Sequence, residues 1–271
     1  MDNWNAISFD LMQGLSNLEE LIIGNCGGIQ EVIKLEGLLT IKGERHDLLL
    51  PRLKNMLLID LHELRCIWKG ATKPIILNNL EYLNVKGCKK LTHLFTPALA
   101  QSLQKLKFLE IERCNKLEHI IVENVEEQVS SENHLQPLCF PKLERVEVTY
   151  CNKLKYLFPM TIADNLLELN TLIVKKNSQL MEVFTHEGDA GVQKDVTLPQ
   201  LQFMVLEGLP SLVNFCPNNY QFILPKWWKL RVESCKKMRT TFARTPDGSL
   251  LINGEVIQYS CFFFLIICSL N

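Results

Sequence analysis

One line of text recurs eight times along this chain: Leu-x-x-Leu-x-x-Leu-x-Val, often followed by Cys and then by Leu. Its clearest copies are Leu77–Leu91 (LNNLEYLNVKGCKKL), Leu103–Leu117 (LQKLKFLEIERCNKL) and Phe140–Leu154 (FPKLERVEVTYCNKL). Each copy has an apolar face that it cannot bury alone, so the copies must stack on one another. A stack of this kind exposes a long ladder of side chains, which suits binding better than chemistry.

The third apolar residue of each copy marks the register: Leu21, Met56, Leu83, Leu109, Val146, Leu172, Met204 and Leu230. The intervals are 35, 27, 26, 37, 26, 32 and 26 residues. Four lie within one residue of 26, inside the range of leucine-rich repeats. The three long intervals hold polar insertions, Lys34–Leu49, Glu123–Pro137 and Thr185–Thr197, which are expected to be loops. The last copy, Leu224–Met238, carries Trp227 in place of the second Leu but keeps Cys235 in register.

Around each mark the pattern alternates, as in Leu83-Asn84-Val85, which predicts a strand with one buried face. Successive strands run the same way, so the sheet is parallel. Leu80, Leu83, Val85 and Leu91 point inward, and the segment Leu91–Ala100 returns on the outer side as loop, turn or short helix. Pro97, Pro159 and Pro217 argue against a long helix there. The predicted class is α/β: a leucine-rich repeat solenoid (horseshoe) of about eight repeats, with parallel strands on the concave face and loops or short helices on the convex face. Residues 1–14 form an N-terminal flank, 15–245 the solenoid and 246–271 a tail. The tail contains the apolar run Cys261–Cys268, too short for a bilayer span, which takes about 20 residues. A strand or helix capping the last repeat is the plain reading.

Hydrophobic residues make up 47% of the chain, enough for a continuous core, and the net charge of −1 offers nucleic acid no basic footprint. Of ten cysteines, Cys26, Cys88, Cys114, Cys151 and Cys235 share one repeat position, five residues after the mark. That regularity reads as reduced, structural thiols, small hydrophobes at a tight bend. With no signal-peptide pattern at the start and no Asn-x-Ser/Thr sequon, the expected compartment is the cytoplasm.

The outward positions of the strands compose the expected concave ladder. It runs through Tyr82, Asn84 and Lys86, then Phe108, Glu110, Glu112 and Arg113, then Arg145, Glu147, Thr149 and Tyr150. It continues with Thr171, Ile173, Lys175 and Lys176, then Phe203, Val205 and Glu207, and ends at Lys229, Arg231 and Glu233. Aromatics and Arg are enriched at interface hot spots, so Tyr82, Phe108, Arg145, Tyr150 and Phe203 lead the candidate partner surface.

Catalytic motifs are missing: there is no phosphate-binding loop, nucleophile elbow, zinc-protease helix or Cys-x-x-Cys pair. His93 and His119 sit 26 apart and stack in adjacent repeats, but no third ligand recurs beside them. The Glu-rich stretch Glu123–His134 reads as a solvated loop rather than an acid–base pair. No cofactor, metal or enzymatic activity is expected.

Three details are more specific. Several repeats open with Pro before the second anchor: Leu50-Pro51-Arg52-Leu53, Phe140-Pro141-Lys142-Leu143 and Leu198-Pro199-Gln200-Leu201. Several are followed by Leu-x-x-Leu and then Phe or Trp, reaching Trp68, Phe95, Phe158 and Phe215. The Cys-containing strand exit, Val85-Lys86-Gly87-Cys88-Lys89-Lys90-Leu91, completes the set. From Leu15 to Thr245 the chain resembles the leucine-rich repeat region of plant coiled-coil nucleotide-binding disease-resistance proteins. The resemblance implies a recognition module whose partners are a pathogen effector or a guarded host protein, together with the nucleotide-binding switch that the repeats restrain. The sequence departs from that family in having no phosphate-binding loop and no switch domain. It is expected to be a fragment, a truncated paralogue or a free repeat module. Two other readings remain: the substrate-recognition half of a ubiquitin-ligase adaptor, which would bring an F-box and a more even period, and a non-functional remnant.

Overall fold

The computed structural model describes residues 14–34, 50–69, 77–122, 139–186, 193–225 and 229–253. The chain divides into two compact units, Met1–Pro141 and Lys142–Asn271. Unit 1 contains β1 (Glu20–Gly24), β2 (Glu31–Lys34), β3 (Asn55–Ile59), β4 (Cys66–Lys69), β5 (Tyr82–Lys86), β6 (His93–Phe95), α1 (Pro97–Ser102), β7 (Phe108–Glu112) and β8 (His119–Ile121). Unit 2 contains β9 (Arg145–Thr149), β10 (Tyr156–Pro159), a 3-10 turn (Met160–Asn165), β11 (Thr171–Lys175), β12 (Glu182–Thr185), β13 (Lys194–Thr197), β14 (Phe203–Glu207), β15 (Tyr220–Leu224), β16 (Lys229–Glu233), β17 (Thr241–Arg244) and β18 (Leu250–Asn253).

The register read from sequence is the register of the sheets. In unit 1, parallel pairing aligns Leu21 with Met56, Met56 with Leu83 and Leu83 with Leu109. In unit 2 it aligns Val146 with Leu172, Leu172 with Met204 and Met204 with Leu230. A one-residue slip would turn every apolar side chain out to water, which is why the pattern specifies the pairing so strongly. Leu80, Leu83, Val85 and Leu91 are fully buried, as are Leu106, Leu109 and Leu117 one repeat on. Each such side chain contributes about 2 kcal/mol by leaving water.

Tight turns frame most of the strands that carry the register marks. On the way in, Leu53 N donates to Leu50 O, and Leu80, Leu106, Leu169 and Leu201 repeat the bond. The repeat-opening Pro51, Pro141 and Pro199 therefore stand second in a four-residue turn, where a fixed φ is favourable. Leu50 and Phe140 adopt positive φ (52° and 56°) just before their prolines, and both are buried. On the way out, Leu64, Leu91, Leu117 and Leu154 close a second turn onto Leu61, Cys88, Cys114 and Cys151.

The return segments differ from the expectation of loop and short helix in carrying strands of their own. Parallel pairs join β2 to β4 and β6 to β8 in unit 1, and β10 to β12 in unit 2. Pro97 sits at the start of the six-residue α1, capped by Thr96, so a helix is present where one was allowed. Beneath these strands lies a spine of buried rings. Phe184 lies 6.2 Å from Phe158, 5.5 Å from Phe215 and 4.8 Å from Phe222. In unit 1, Phe95 and Phe140 are 5.5 Å apart.

Part of the third insertion also proves to be strand: Lys194–Thr197 pairs parallel with Tyr220–Leu224, and Val196 is buried. The alternation Asp195-Val196-Thr197 is long enough to zip one edge. Residue 245 lies in the turn of an antiparallel hairpin, β17–β18, whose second strand also pairs with β15. Trp227, the Cys261–Cys268 run and most of the three insertions lie outside the described residues.

The shared cysteine position has a defined job. The Cys88 thiol donates to Leu58 O of the preceding repeat (3.8 Å) and to Lys86 O (3.6 Å). Cys114 does the same to Val85 O and Glu112 O, and Cys235 to Leu206 O and Glu233 O. In the sixth repeat Asn177 takes the place: its Nδ2 donates to Val148 O (3.0 Å) and its Oδ1 accepts from Cys151 N (2.6 Å). All eight described cysteines are unbridged. The adjacent Cys114 thiol, together with burial, holds Cys88 protonated far above the usual thiol range.

Candidate recognition surface

Because strand side chains alternate, three residues of each strand face outward: those one before, one after and three after the register mark. In unit 1 the outward face bears Glu20, Ile22, Asn55, Leu57 and Ile59, then Tyr82, Asn84, Lys86, Phe108, Glu110 and Glu112. Tyr82 Oη donates to Glu110 Oε2 at 2.8 Å, and Asn84 Nδ2 donates to the same oxygen at 2.9 Å. The Tyr82 ring stands edge-on to Phe108 at 6.4 Å, and Lys86 pairs with Glu112 at 2.8 Å. Unit 1 thus presents a hydrogen-bonded aromatic–carboxylate cluster with its geometry set in advance.

In unit 2, Arg145 binds Glu147 at 2.6 Å, and the Lys229 ammonium lies 5.8 Å from the centre of the Phe203 ring. Lys175, Lys176 and Arg231 gather round Glu207 at 3.9, 3.3 and 3.8 Å. Arg231 also closes a 2.6 Å contact on Glu233, whose carboxyl it holds below the usual carboxylate range. Ile173 and Val205, expected on the exposed ladder, are buried at 6% and 3% exposure. They lie side by side in one column, with Glu147 and Arg231 on either side. At the N-terminal ends of β9, β11 and β14 opens a cleft of about 420 Å³ lined by Glu144, Glu168, Asn170, Thr171, Gln200, Gln202 and Phe203.

Arg113, Tyr150 and Lys176 were expected on the strands, but each lies one residue beyond its strand, in the exit bend. That position has positive φ in all eight repeats: Asn25, Asp60, Gly87, Arg113, Tyr150, Lys176, Gly208 and Ser234, between 52° and 68°. The left-handed turn aims the backbone N–H at the neighbouring repeat. Asp60 N reaches Lys86 O, Gly87 N reaches Glu112 O and Lys176 N reaches Glu207 O, each at 2.8 Å. For bulky residues such as Tyr150 and Arg113 this conformation is costly, about 1 kcal/mol or more. The side chains of this row therefore leave the molecule at the C-terminal rim of the strands and not from the strand face.

The alternation also reaches residues passed over in the ladder read from sequence. Ile22, 57% exposed, and Leu57 occupy the same column as Asn84 and Glu110. Counting the columns back from Tyr82 by the same register would have found them.

Among the described residues, no group of three or more His, Cys, Asp or Glu side chains is placed to hold a metal ion. His93 and His119 pair across β6 and β8, and burial, then the neighbouring His119, pushes the His93 imidazole below its ordinary range. Among the described residues, no helix is long and apolar enough to cross a membrane.

Two consecutive stretches, residues 2–115 and 116–251, match the family described as plant disease resistance protein RPS2-like, leucine-rich repeats. The chain belongs to this family. A curated relative, "Probable disease resistance protein At1g12290" of Arabidopsis thaliana, is 33% identical over 124 residues. The match covers 45% of this chain and 13% of that protein. Both units thus carry RPS2-like leucine-rich repeats.

Proposed function

We propose that this chain is the protein-recognition module of a plant intracellular immune receptor. It senses a pathogen effector or a guarded host protein through its strand faces and regulates a nucleotide-binding switch elsewhere in the receptor, in the cytoplasm. The observation that carries the reading is that each unit presents aromatic or arginine side chains held in place on its outward strand face. Tyr82 and Phe108 stand edge-on, and Arg145 lies fixed against Glu147. Rigid aromatic anchors bind at low entropic cost, which suits a face that must discriminate among proteins. Membership of a disease-resistance repeat family and the relative's name support the receptor setting.

The test is affinity cross-linking in plant tissue with and without pathogen challenge, comparing the native chain with the triple variant Tyr82→Ala/Phe108→Ala/Arg145→Ala. The expected result is a protein partner recovered by the native chain and lost, by about tenfold or more, by a variant that melts normally. Equal recovery by both, or no protein partner under either condition, overturns the reading.

A further inference from the structure

The two outward faces carry opposite charge. With the exit-bend residues included, unit 1 sets Lys86 and Arg113 against Glu20, Asp60, Glu110 and Glu112. Unit 2 sets five cations, Arg145, Lys175, Lys176, Lys229 and Arg231, against Glu147, Glu207 and Glu233. Lys175 and Lys176 at the end of β11 and Arg231 in the middle of β16 stand round the end of β14. There three cations converge on one carboxylate, Glu207, whose side chain is only 17% exposed.

None of the three closes a short bond on Glu207: their distances are 3.9, 3.3 and 3.8 Å. A tight charge-assisted bond lies near 2.8 Å, the value reached by Lys86 on Glu112 in unit 1. One half-buried carboxylate therefore faces three cations without a tight bond to any, and their side chains stay 35%, 46% and 52% exposed. Lys176 adopts φ 56°, and the next exit bend is Gly208, where a Cβ would come within 2.7 Å of Lys176 Cδ. Tyr150 adds an aromatic ring, 45% exposed, in the exit bend of the adjoining repeat.

We propose that Tyr150, Lys175, Lys176 and Arg231, arranged around Glu207, form a docking surface for an acidic segment of a protein partner. The inference rests on the protein-recognition reading and names the partner chemistry for the unit 2 face. An incoming Asp or Glu relieves the mutual repulsion of Lys175, Lys176 and Arg231 and bonds the solvent-facing ammonium groups of Lys175 and Lys176, with Arg231 held beside them by Glu233, while Tyr150 packs against the peptide backbone.

Fluorescence anisotropy with a labelled octa-glutamate peptide tests this at low ionic strength, where such pairing is least screened. The controls are octa-lysine and a single-stranded DNA oligonucleotide. The expected result is saturable octa-glutamate binding, weakened by rising salt. It should be about tenfold weaker in Lys175→Glu/Lys176→Glu/Arg231→Glu and nearly unchanged in the unit 1 reversal Lys86→Glu/Arg113→Glu. The milder Lys175→Gln/Lys176→Gln/Arg231→Gln variant guards against misfolding of the reversal. Absence of octa-glutamate binding, equal loss in the unit 1 reversal, or equal binding of octa-lysine or DNA overturns the proposal. A protein partner that the Tyr82/Phe108/Arg145 variant loses but the unit 2 reversal keeps also overturns it, while leaving the recognition reading intact. Octa-glutamate binding lost on reversal, with no protein partner found in tissue, sustains this surface and defeats the receptor reading.

Discussion

In unit 1 the hydroxyl of Tyr82 and the amide of Asn84 both reach Glu110, so the outward face is tied together by short neutral-to-charged bonds. In unit 2 the matching columns hold buried Ile173 and Val205, and long cations are set round Glu207. The backbone beneath is the same in both: parallel strands in one register, a left-handed exit bend and, at two exits of each unit, a thiol or amide bonded to the preceding repeat. The comparison teaches that backbone hydrogen bonds carry the architecture. The outward side chains are free to change sign and character without disturbing it, which is how a repeat scaffold acquires new specificity.

The comparison breaks most decisively if the register is wrong. Leu109→Asp in unit 1 and Leu172→Asp in unit 2 each bury a charge between neighbouring repeats, and each should abolish cooperative melting, a cost of about 5 kcal/mol or more. A sharp melt at the native temperature in circular dichroism would show that the mutated position does not face the core. Next comes the strand-exit position. Asn177→Ala orphans Cys151 N and Val148 O, both buried, and should cost about 3 kcal/mol. Cys114→Ala removes only weak thiol bonds and about 1 kcal/mol. Similar denaturant midpoints for the two would mean that amide and thiol are interchangeable there.

The exit bends sharpen the contrast further. Gly87→Ala puts a Cβ into the short, inflexible Asp60 carboxylate, whereas Gly208→Ala meets only the flexible Lys176 chain. Both pay for positive φ, so the expected losses are about 2 and about 1 kcal/mol. Equal losses in urea titration would remove side-chain crowding as the cause. The smallest effect is confined to unit 1. Burial lowers the folded His93 pKa, so the unfolded chain takes up the proton first as pH falls. The stability this group contributes is complete above its ordinary value of 6.5 and declines as pH drops through that value towards the lower folded one. His93→Gln should flatten the decline between pH 7 and 5, read as the pH dependence of the melting temperature. An unchanged slope would assign it to other groups.

Legibility from sequence tracked how local each constraint was. The strand registers, the inward leucines and the shared cysteine column were all readable, because a repeated pattern reports the same environment many times. Arg113, Tyr150 and Lys176 were read one residue too far along the strand, since alternation alone does not mark where a left-handed residue ends it. Gly87 and Gly208 were the only two hints, and the other six repeats put non-glycine residues in the same conformation. The column of Ile173 and Val205 reads as exposed, yet both are buried.

The sequence by itself determined the repeat, its parallel register and its apolar interior, because periodic burial leaves only one pairing that keeps every leucine dry. Tertiary structure decided the rest. It placed strands on the return segments, folded Lys194–Thr197 into a sheet with Tyr220–Leu224 and Leu250–Asn253, and brought Lys175, Lys176 and Arg231 onto Glu207. Those groups lie about one to two repeats apart in the chain. Their meeting depends on how side chains of adjacent strands lean and crowd, and no local pattern encodes that.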